Sequence, residues 1–333
     1  MDQPLITVGV TTYNRPKLLR ECVQSILDQE YANVEILIGN DYTPEPVTQE
    51  SLGTGNDPRI KIVNHRENIG AYQNNYFLLK NARGDWFTWL ADDDLMHPKF
   101  LQLAYEALSG SDAQSFFSSY AAGADPAGHF PGQPGQHGEL TIYEGSDFIG
   151  EYASRRIRAV GSYGVFRREI LKDIDSVPRF GSGLPVYVDT FIPVVTASLG
   201  RVAYRNADLV FLRTHPGSQS ANSSVLGDYS SAQMAFLREL NRRFGAMAGF
   251  DRWRIDFLWW FVLDAWHVAC RASDSIVRRL GAFFNYFRRT LAPFIPDGQR
   301  AAFTWRVFTM ILTEGARQLG HNALRKKSRP PKK

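Results

Sequence analysis

Residues 5–29 read LITVGVTTYNRPKLLRECVQSILDQ, and a change of period inside this stretch sets the fold class. Leu5 to Tyr13 is a β-branched, apolar run of strand length. Asn14-Arg15-Pro16 ends it and opens a helix, because proline suits a first turn where its missing N–H has no partner to lose. Leu18, Leu19, Cys22, Val23, Ile26 and Leu27 then recur at helical spacing and put one apolar stripe against whatever the strand builds. The alternation continues. VEILIGND (34–41) and RIKIVNH (59–65) are further strands, Asn68-Ile69-Gly70 leads into a helical stretch to about Arg83, and DWFTWLAD (85–92) is a fourth strand. Strands alternating with helices predict βαβ units around a mainly parallel sheet.

Parallel strands deliver their last residues to one edge, and open α/β sheets bind ligands just beyond it. Thr12, Asp41, Asp92, Asp93 and Asp94 are therefore expected to line one crevice although they lie far apart in sequence. Three adjacent carboxylates repel one another. They make chemical sense if a divalent cation neutralises them, since Mg2+ or Mn2+ takes one or two protein carboxylates together with substrate phosphates. A solvated turn, or an Asp capping a helix in LMHPKFLQLAYEAL (95–108), is the structural alternative.

The chain has 333 residues, 44% of them hydrophobic, enough for one large domain or two ordinary ones with a sizeable core. Cys22 and Cys270 are too few and too distant for a disulfide framework or a zinc site. No signal peptide is expected from MDQPLITVGV, and the longest unbroken apolar run of the C-terminal part, Phe257 to Leu263, falls well short of the ~18 residues of a spanning helix. These features point to a cytoplasmic protein. Charge is unevenly placed: residues 226–333 hold 19 Lys/Arg against 8 Asp/Glu, and residues 1–225 hold 19 against 26. An acidic first part before a basic second part suggests an anionic partner at the basic end.

After residue 110 the organisation changes. GADPAGHFPGQPGQHGE (123–139) reads as a mobile loop or hairpin connection. A helix near Asp147–Arg155, a strand near AVGSYGVF (159–166), a helix from Phe191 to Leu199 and a strand VAYRNADLVFLR (202–213) follow. A boundary is expected near Ser220–Gly227. Ile276, Leu280, Phe283, Phe284, Phe287 and Leu291 keep helical spacing, with Arg278, Arg279, Arg288 and Arg289 elsewhere on the wheel. RKKSRPPKK (325–333) reads as a disordered basic tail.

Taken together, ITVGVTTYNRPKLLRECVQSILDQ (6–29), VEILIGNDYT (34–43), RENIGAYQNNYFLLKNARGDWFTWLADDD (66–94), VYVDTFIPVVTASLG (186–200) and LVFLRTHPGSQS (209–220) resemble the family 2 inverting glycosyltransferases of GT-A fold. The resemblance covers about residues 1–220. It implies a Rossmann-like, mainly parallel α/β sheet over 1–225, followed by a basic, aromatic-rich α-helical subdomain over 226–324. It implies a metal-dependent inverting transfer from a nucleotide-diphosphate sugar, UDP-linked on the strength of Asp41, to an acceptor hydroxyl in polysaccharide or glycoconjugate synthesis. Thr11, Thr12, Tyr13 and Arg15 would lie along the nucleotide, Asp41 would meet the uracil, and Asn68, Gly70 and Asn75 would line base and sugar. Relatives often carry D-x-D-D where this chain has Ala91-Asp92-Asp93-Asp94. Alignment on the final pair gives Asp93 to the ribose and Asp94 to Mn2+ or Mg2+, with Asp92 a substitute for the missing acid or a turn cap. Asp189 corresponds to the base, without the acid that often precedes it, and its alternative is a helix N-cap. His215 corresponds to a position near the donor phosphates, as metal ligand or stabiliser of the leaving group, and Arg213 to a phosphate contact.

Trp253, Trp259, Trp260, Trp266 and Trp305 lie among many Phe and Arg in the C-terminal part. Packing on the catalytic domain, a homodimer through these helices, or peripheral attachment to an anionic membrane that would present a lipid-linked or carbohydrate acceptor are the readings it allows. Nucleic acid is disfavoured because no motif accompanies the charge. Two other functions compete: a nucleotidyltransferase, against which stands the lack of a Gly-rich phosphate loop with Lys near the first strand, and a lapsed glycosyltransferase-like binding or assembly subunit, suggested by Ala91 and the single Asp189.

Overall fold

The computed structural model describes residues 3–127, 138–171, 187–215, 226–272 and 275–327. The first part runs β1 (Ile6–Thr12), α1 (Pro16–Leu27), β2 (Val34–Asn40), α2 (Gln49–Leu52), β3 (Ile60–Asn64), α3 (Ala71–Asn81) and β4 (Trp86–Ala91). It continues with β5 (Leu95–Met96), α4 (Phe100–Ser109), β6 (Ser115–Gly123), β7 (Leu140–Tyr143), α5 (Gly145–Ala153), β8 (Val165–Arg167), α6 (Val188–Ala197) and β9 (Val202–Arg213). Helices α7 (Leu226–Phe244), α8 (Phe250–Ala272), α9 (Ile276–Tyr286) and α10 (Arg300–Lys327) complete it. These strands form one nine-stranded sheet ordered β3-β2-β1-β4-β8-β6-β9-β5, with β7 paired to β9.

The expected parallel units are present: β1 pairs in parallel with β2 and β4, and β2 with β3. Register does the work of assembling the site. Thr12 stands opposite Asn40 and Thr11 opposite Ala91, so the chain leaves three strands at one level. Alternate residues of each strand face opposite cores. Ile36, Ile38, Trp86 and Leu90 join the core under α1 and α4, whereas Leu37, Phe87 and Trp89 join the other. That second core continues without interruption through Phe148 and Phe191 into Phe236, Phe257 and Phe287. The C-terminal helices thus share a core with the sheet domain rather than forming one of their own.

Some expectations need revision. Residues 159–166 are not one strand: Gly161–Tyr163 forms a 3-10 turn and only Val165–Arg167 pairs, antiparallel to β4. The helix expected from Phe191 begins earlier, at Val188. The helical run expected from Ile276 to Leu291 widens into a π-turn at Phe287–Leu291, and α10 continues to Lys327, beyond the expected start of the tail. Most of the 123–139 loop, the proposed boundary near 220–227 except its last residues, and the tail from 328 lie outside the described residues. No described helix is long and apolar enough to cross a membrane. Both cysteines are free, Cys22 buried and Cys270 half-buried.

Candidate active site

The crevice beyond β1, β2 and β4 is built around the three carboxylates, and each has different neighbours. Asp92 and Asp94 are 3% and 6% exposed, which removes the solvated-turn reading, and α4 is capped by Lys99, which removes the N-cap reading. The Thr12 hydroxyl donates to Asp92 Oδ2 at 2.7 Å, and one Arg15 nitrogen bridges Asp92 Oδ1 (3.1 Å) and Asp93 Oδ2 (2.9 Å). Burial raises the Asp92 pKa and the like charge of Asp93 adds to it, against the opposing pull of Thr12 and Arg15. Arg15 and Thr12, expected along the nucleotide, therefore hold the acidic turn against the end of β1. Asn14 makes the tight exit possible with φ 54, a left-handed conformation that Asn tolerates.

Asp94 ties three segments together. Its Oδ2 accepts the Tyr163 hydroxyl and its Oδ1 accepts the Arg213 N–H at 2.8 Å. Burial and the neighbouring carboxylates push its pKa up to about 7, with the Tyr163 and Arg213 hydrogen bonds pulling the other way. The meeting with Arg213 follows from topology, because β5 directly after the acidic turn pairs with β9, Leu95 opposite Phe211. Asp93 is the carboxylate that faces His215, with Oδ2 3.0 Å from Nε2. The pairing thus differs from the sequence assignment, in which His215 accompanies Asp94. The Arg213 guanidinium turns to Glu21 of α1 at 2.6 Å.

On the far side, Asp41 accepts the N–H groups of Ile69 (2.6 Å) and Gly70 (2.9 Å), and Asn68 Oδ1 accepts the Gly70 N–H as well (3.0 Å). Gly70 has φ 82, which explains glycine there. Asp41 thereby shapes the N-x-G loop. Asn74 is fully buried and bonded to the Gly39 carbonyl, a structural role, while Asn75 is half-buried beside it. Thr11 is half-buried at the strand end, and Tyr13 and Tyr42 are exposed at 54% and 46%.

Asp189 sits in the first turn of α6 and is not its cap; that position is Tyr187, at φ 67. The side chain keeps solvent access, yet the dense protein around it raises its pKa by burial, opposed by the hydroxyl and N–H of Ser162. The Gly161–Tyr163 turn is pressed onto α6 so closely that a Cβ at Gly161 would lie 1.9 Å from the Asp189 carbonyl oxygen. One turn thus gives Ser162 to Asp189 and Tyr163 to Asp94. The Tyr163 hydroxyl also feels the charges of Asp94, Asp189 and Asp93, which gathers all three around it. Sequence reasoning missed this turn because AVGSYGVF has strand composition; Gly161 and Gly164 flanking the polar Ser-Tyr pair were the available signal. It also missed the buried chain from Tyr286 to Gln233, Gln233 to Tyr187 (2.6 Å) and Tyr187 to Asp264 (3.0 Å), which fastens the start of α6 to α7, α8 and α9.

Among the described residues no group of three or more His, Cys, Asp or Glu is arranged to hold a metal. Asp93 and His215 offer one carboxylate oxygen and one imidazole nitrogen side by side. That donor pair fits a weakly held Mg2+ or Mn2+ whose other ligands are phosphate oxygens and water.

An open α/β sheet with an acidic turn at its carboxyl edge, closed by a helical C-terminal part, defines a glycosyltransferase of GT-A architecture. The fold matches S. aureus TarS 1–349 in its complex with UDP-GlcNAc at TM-score 0.68 and 14% identity, over 95% of this chain and 92% of that one. It also matches the mannosyltransferase PcManGT from Pyrobaculum calidifontis, solved with GDP-Man and Mn2+, at TM-score 0.50 and 15% identity over 94% and 88%. The model of glycosyl transferase family 2 matches residues 7–175, and the chain belongs to that family. Glycosyltransferase GlyG of Streptococcus pneumoniae is 28% identical over 127 residues, 38% of this chain and 42% of that protein. The chain spans less than half the length of the curated relatives it matches.

Proposed function

We propose that this glycosyltransferase moves a sugar from a nucleoside-diphosphate donor, UDP-linked by preference, to an acceptor hydroxyl with inversion at the anomeric carbon. The observation that carries the reading is the convergence of Asp93, Asp94 and Asp189 on the Tyr163 hydroxyl. Tyr13 and Tyr42 offer exposed rings to the base, and the loop that Asp41 organises, with Asn68, Gly70 and Asn75, flanks the base and sugar. Asp93 and His215 would hold Mg2+ or Mn2+, which supplies charge neutralisation for the departing diphosphate. Asp189 accepts the proton of the acceptor hydroxyl as its oxygen attacks the anomeric carbon and the bond to the diphosphate breaks. Ser162 orients that carboxylate. A base held below the bulk-water barrier by orientation alone needs no covalent intermediate.

The family likeness to TarS and PcManGT supports a sugar nucleotide as donor; polysaccharide or glycoconjugate synthesis is the setting we propose, and an acceptor carried on a lipid would be met at the cytoplasmic face of a membrane. The experiment is donor turnover across a panel of sugar nucleotides, with and without Mn2+, for the wild type and Asp189→Asn. Asp189→Asn should retain Mn2+-dependent nucleotide binding, read by thermal shift, and lose about 10²–10⁴-fold in turnover. Near-normal turnover in that variant removes Asp189 from the role, and absence of both turnover and Mn2+-dependent nucleotide binding in the wild type favours a lapsed subunit.

A further inference from the structure

We propose that the outer faces of α9 and α10 form a docking surface for an anionic lipid bilayer. Helix α10 has two apolar faces where packing requires one. Phe303, Val307 and Ile311 are buried, with Phe303 against the rings of Trp259 and Phe287. Opposite them, Trp305 is 66% exposed, Phe308 43% and Leu312 57%, a stripe at helical spacing whose two rings lie 5.8 Å apart. Helix α9 likewise buries Phe283 and Tyr286 and leaves Val277 and Phe284 exposed. A surface helix needs polar residues on its solvent face, and exposed apolar residues in series mark a partner.

Charge selects the partner. Arg278, Arg288, Arg289, Arg300 and Arg306 are exposed on or beside these helices. Residues 314–333 contain Arg317, Arg325, Lys326, Lys327, Arg329, Lys332 and Lys333 against the single acid Glu314. A second copy of the chain would oppose one basic face to another, which costs free energy at close range. An anionic bilayer satisfies both features: Trp and Phe enter the headgroup boundary while Arg and Lys meet lipid phosphates. No described helix can cross the bilayer, so the chain lies on it. The inference is independent of the chemistry in the crevice.

The full chain is tested by co-sedimentation with phosphatidylcholine vesicles and with equimolar phosphatidylcholine–phosphatidylglycerol vesicles, alongside Trp305→Ser/Phe308→Ser/Leu312→Ser. All three substitutions fall on exposed positions, and circular dichroism melting checks that the fold is kept. We expect the wild type to pellet with anionic vesicles and not neutral ones, and to release near 1 M salt, where screening shrinks to about 3 Å. The triple variant should bind at least about tenfold more weakly. The proposal is overturned if the wild type ignores anionic vesicles at low salt, or if the folded triple variant binds them equally well. It is equally overturned if the wild type is a dimer by sedimentation that the triple variant dissolves, without vesicle binding, since the stripe then belongs to a second copy.

Discussion

Replacing Asp94 by Asn should stabilise the protein in a pH-dependent way while impairing turnover. Asp94 is 6% exposed and held at about 7 against an ordinary value of 3.8. A carboxyl raised on folding is one the native state keeps protonated while the unfolded chain has already ionised. Its cost to stability is therefore absent below about pH 4, grows as pH rises, and is complete above about pH 7. Roughly three units correspond to about 4 kcal/mol as an upper limit, and relaxation around a coupled cluster reduces this to about 2 kcal/mol. Asn preserves the shape, accepts the Arg213 N–H through its carbonyl oxygen, and carries no charge. Thermal melts of both proteins in EDTA between pH 4 and 8.5 measure the difference, in which every other titrating group cancels. The midpoints should coincide near pH 4, and the variant should lead by several degrees at pH 8, given about 2–4 °C per kcal/mol for a chain of this size. A gap that does not change with pH, or a variant less stable at pH 8 than at pH 4 relative to wild type, refutes the argument that Asp94 is a buried charge the fold tolerates at a cost.

Ser162→Ala removes one of the two Ser162 donors to Asp189; turnover should fall about tenfold with little change in KM, and the acid limb of its pH profile should move upward, whereas Ser162→Thr should restore both. Glu35, buried in β2, would be raised by burial alone, but the Arg83 N–H, the Thr7 hydroxyl, the Arg83 guanidinium and Lys61 outweigh that and hold it at about 2. Its contribution is present above the unfolded value near 4.5 and fades as pH falls towards 2. Because Arg83 and Lys61 are half-exposed, Glu35→Gln should cost about 2 kcal/mol in urea unfolding at pH 7 and nothing near pH 2. Gln233→Leu strands the buried Tyr187 and Tyr286 hydroxyls; it should destabilise by about 2–4 kcal/mol and, by loosening the start of α6, lower kcat more than nucleotide affinity.

What the sequence made legible depended on whether a residue acts through its own strand or through a distant one. The parallel order of β1 to β4 follows from local period and length, and the edge position of Thr12, Asp41 and Asp92–Asp94 follows from that order. Partner choice at the edge did not. Asp93 rather than Asp94 meets His215 because β5 fixes the turn against β9, and a two-residue strand leaves no periodicity to read. The 161–163 turn was hidden for a similar reason: its geometry is imposed by contact with α6, a constraint that exists only once helix and turn are packed. Tyr187 at φ 67 is a tertiary override of the same kind, stabilised by Gln233 and Asp264 from helices more than forty residues away.

The alanine at position 91 fits this account. Ala91 is half-buried against the α1–α4 core, its carbonyl accepting the Cys22 thiol at 3.4 Å and the Asp94 N–H at 3.2 Å. A carboxylate there would add a fourth negative charge against an apolar wall, with Arg15 already shared between Asp92 and Asp93. The three that remain divide the work: Asp92 pins the loop after β1, Asp94 at about 7 is easily kept neutral while it joins β4 to β9, and Asp93 alone faces His215. If that division holds, Ala91→Asp should not add a metal ligand; it should destabilise the fold at neutral pH and leave the Mn2+ dependence of nucleotide binding unchanged. A variant that instead binds Mn2+ more tightly, at unchanged stability, would show that position 91 opens onto the cation after all.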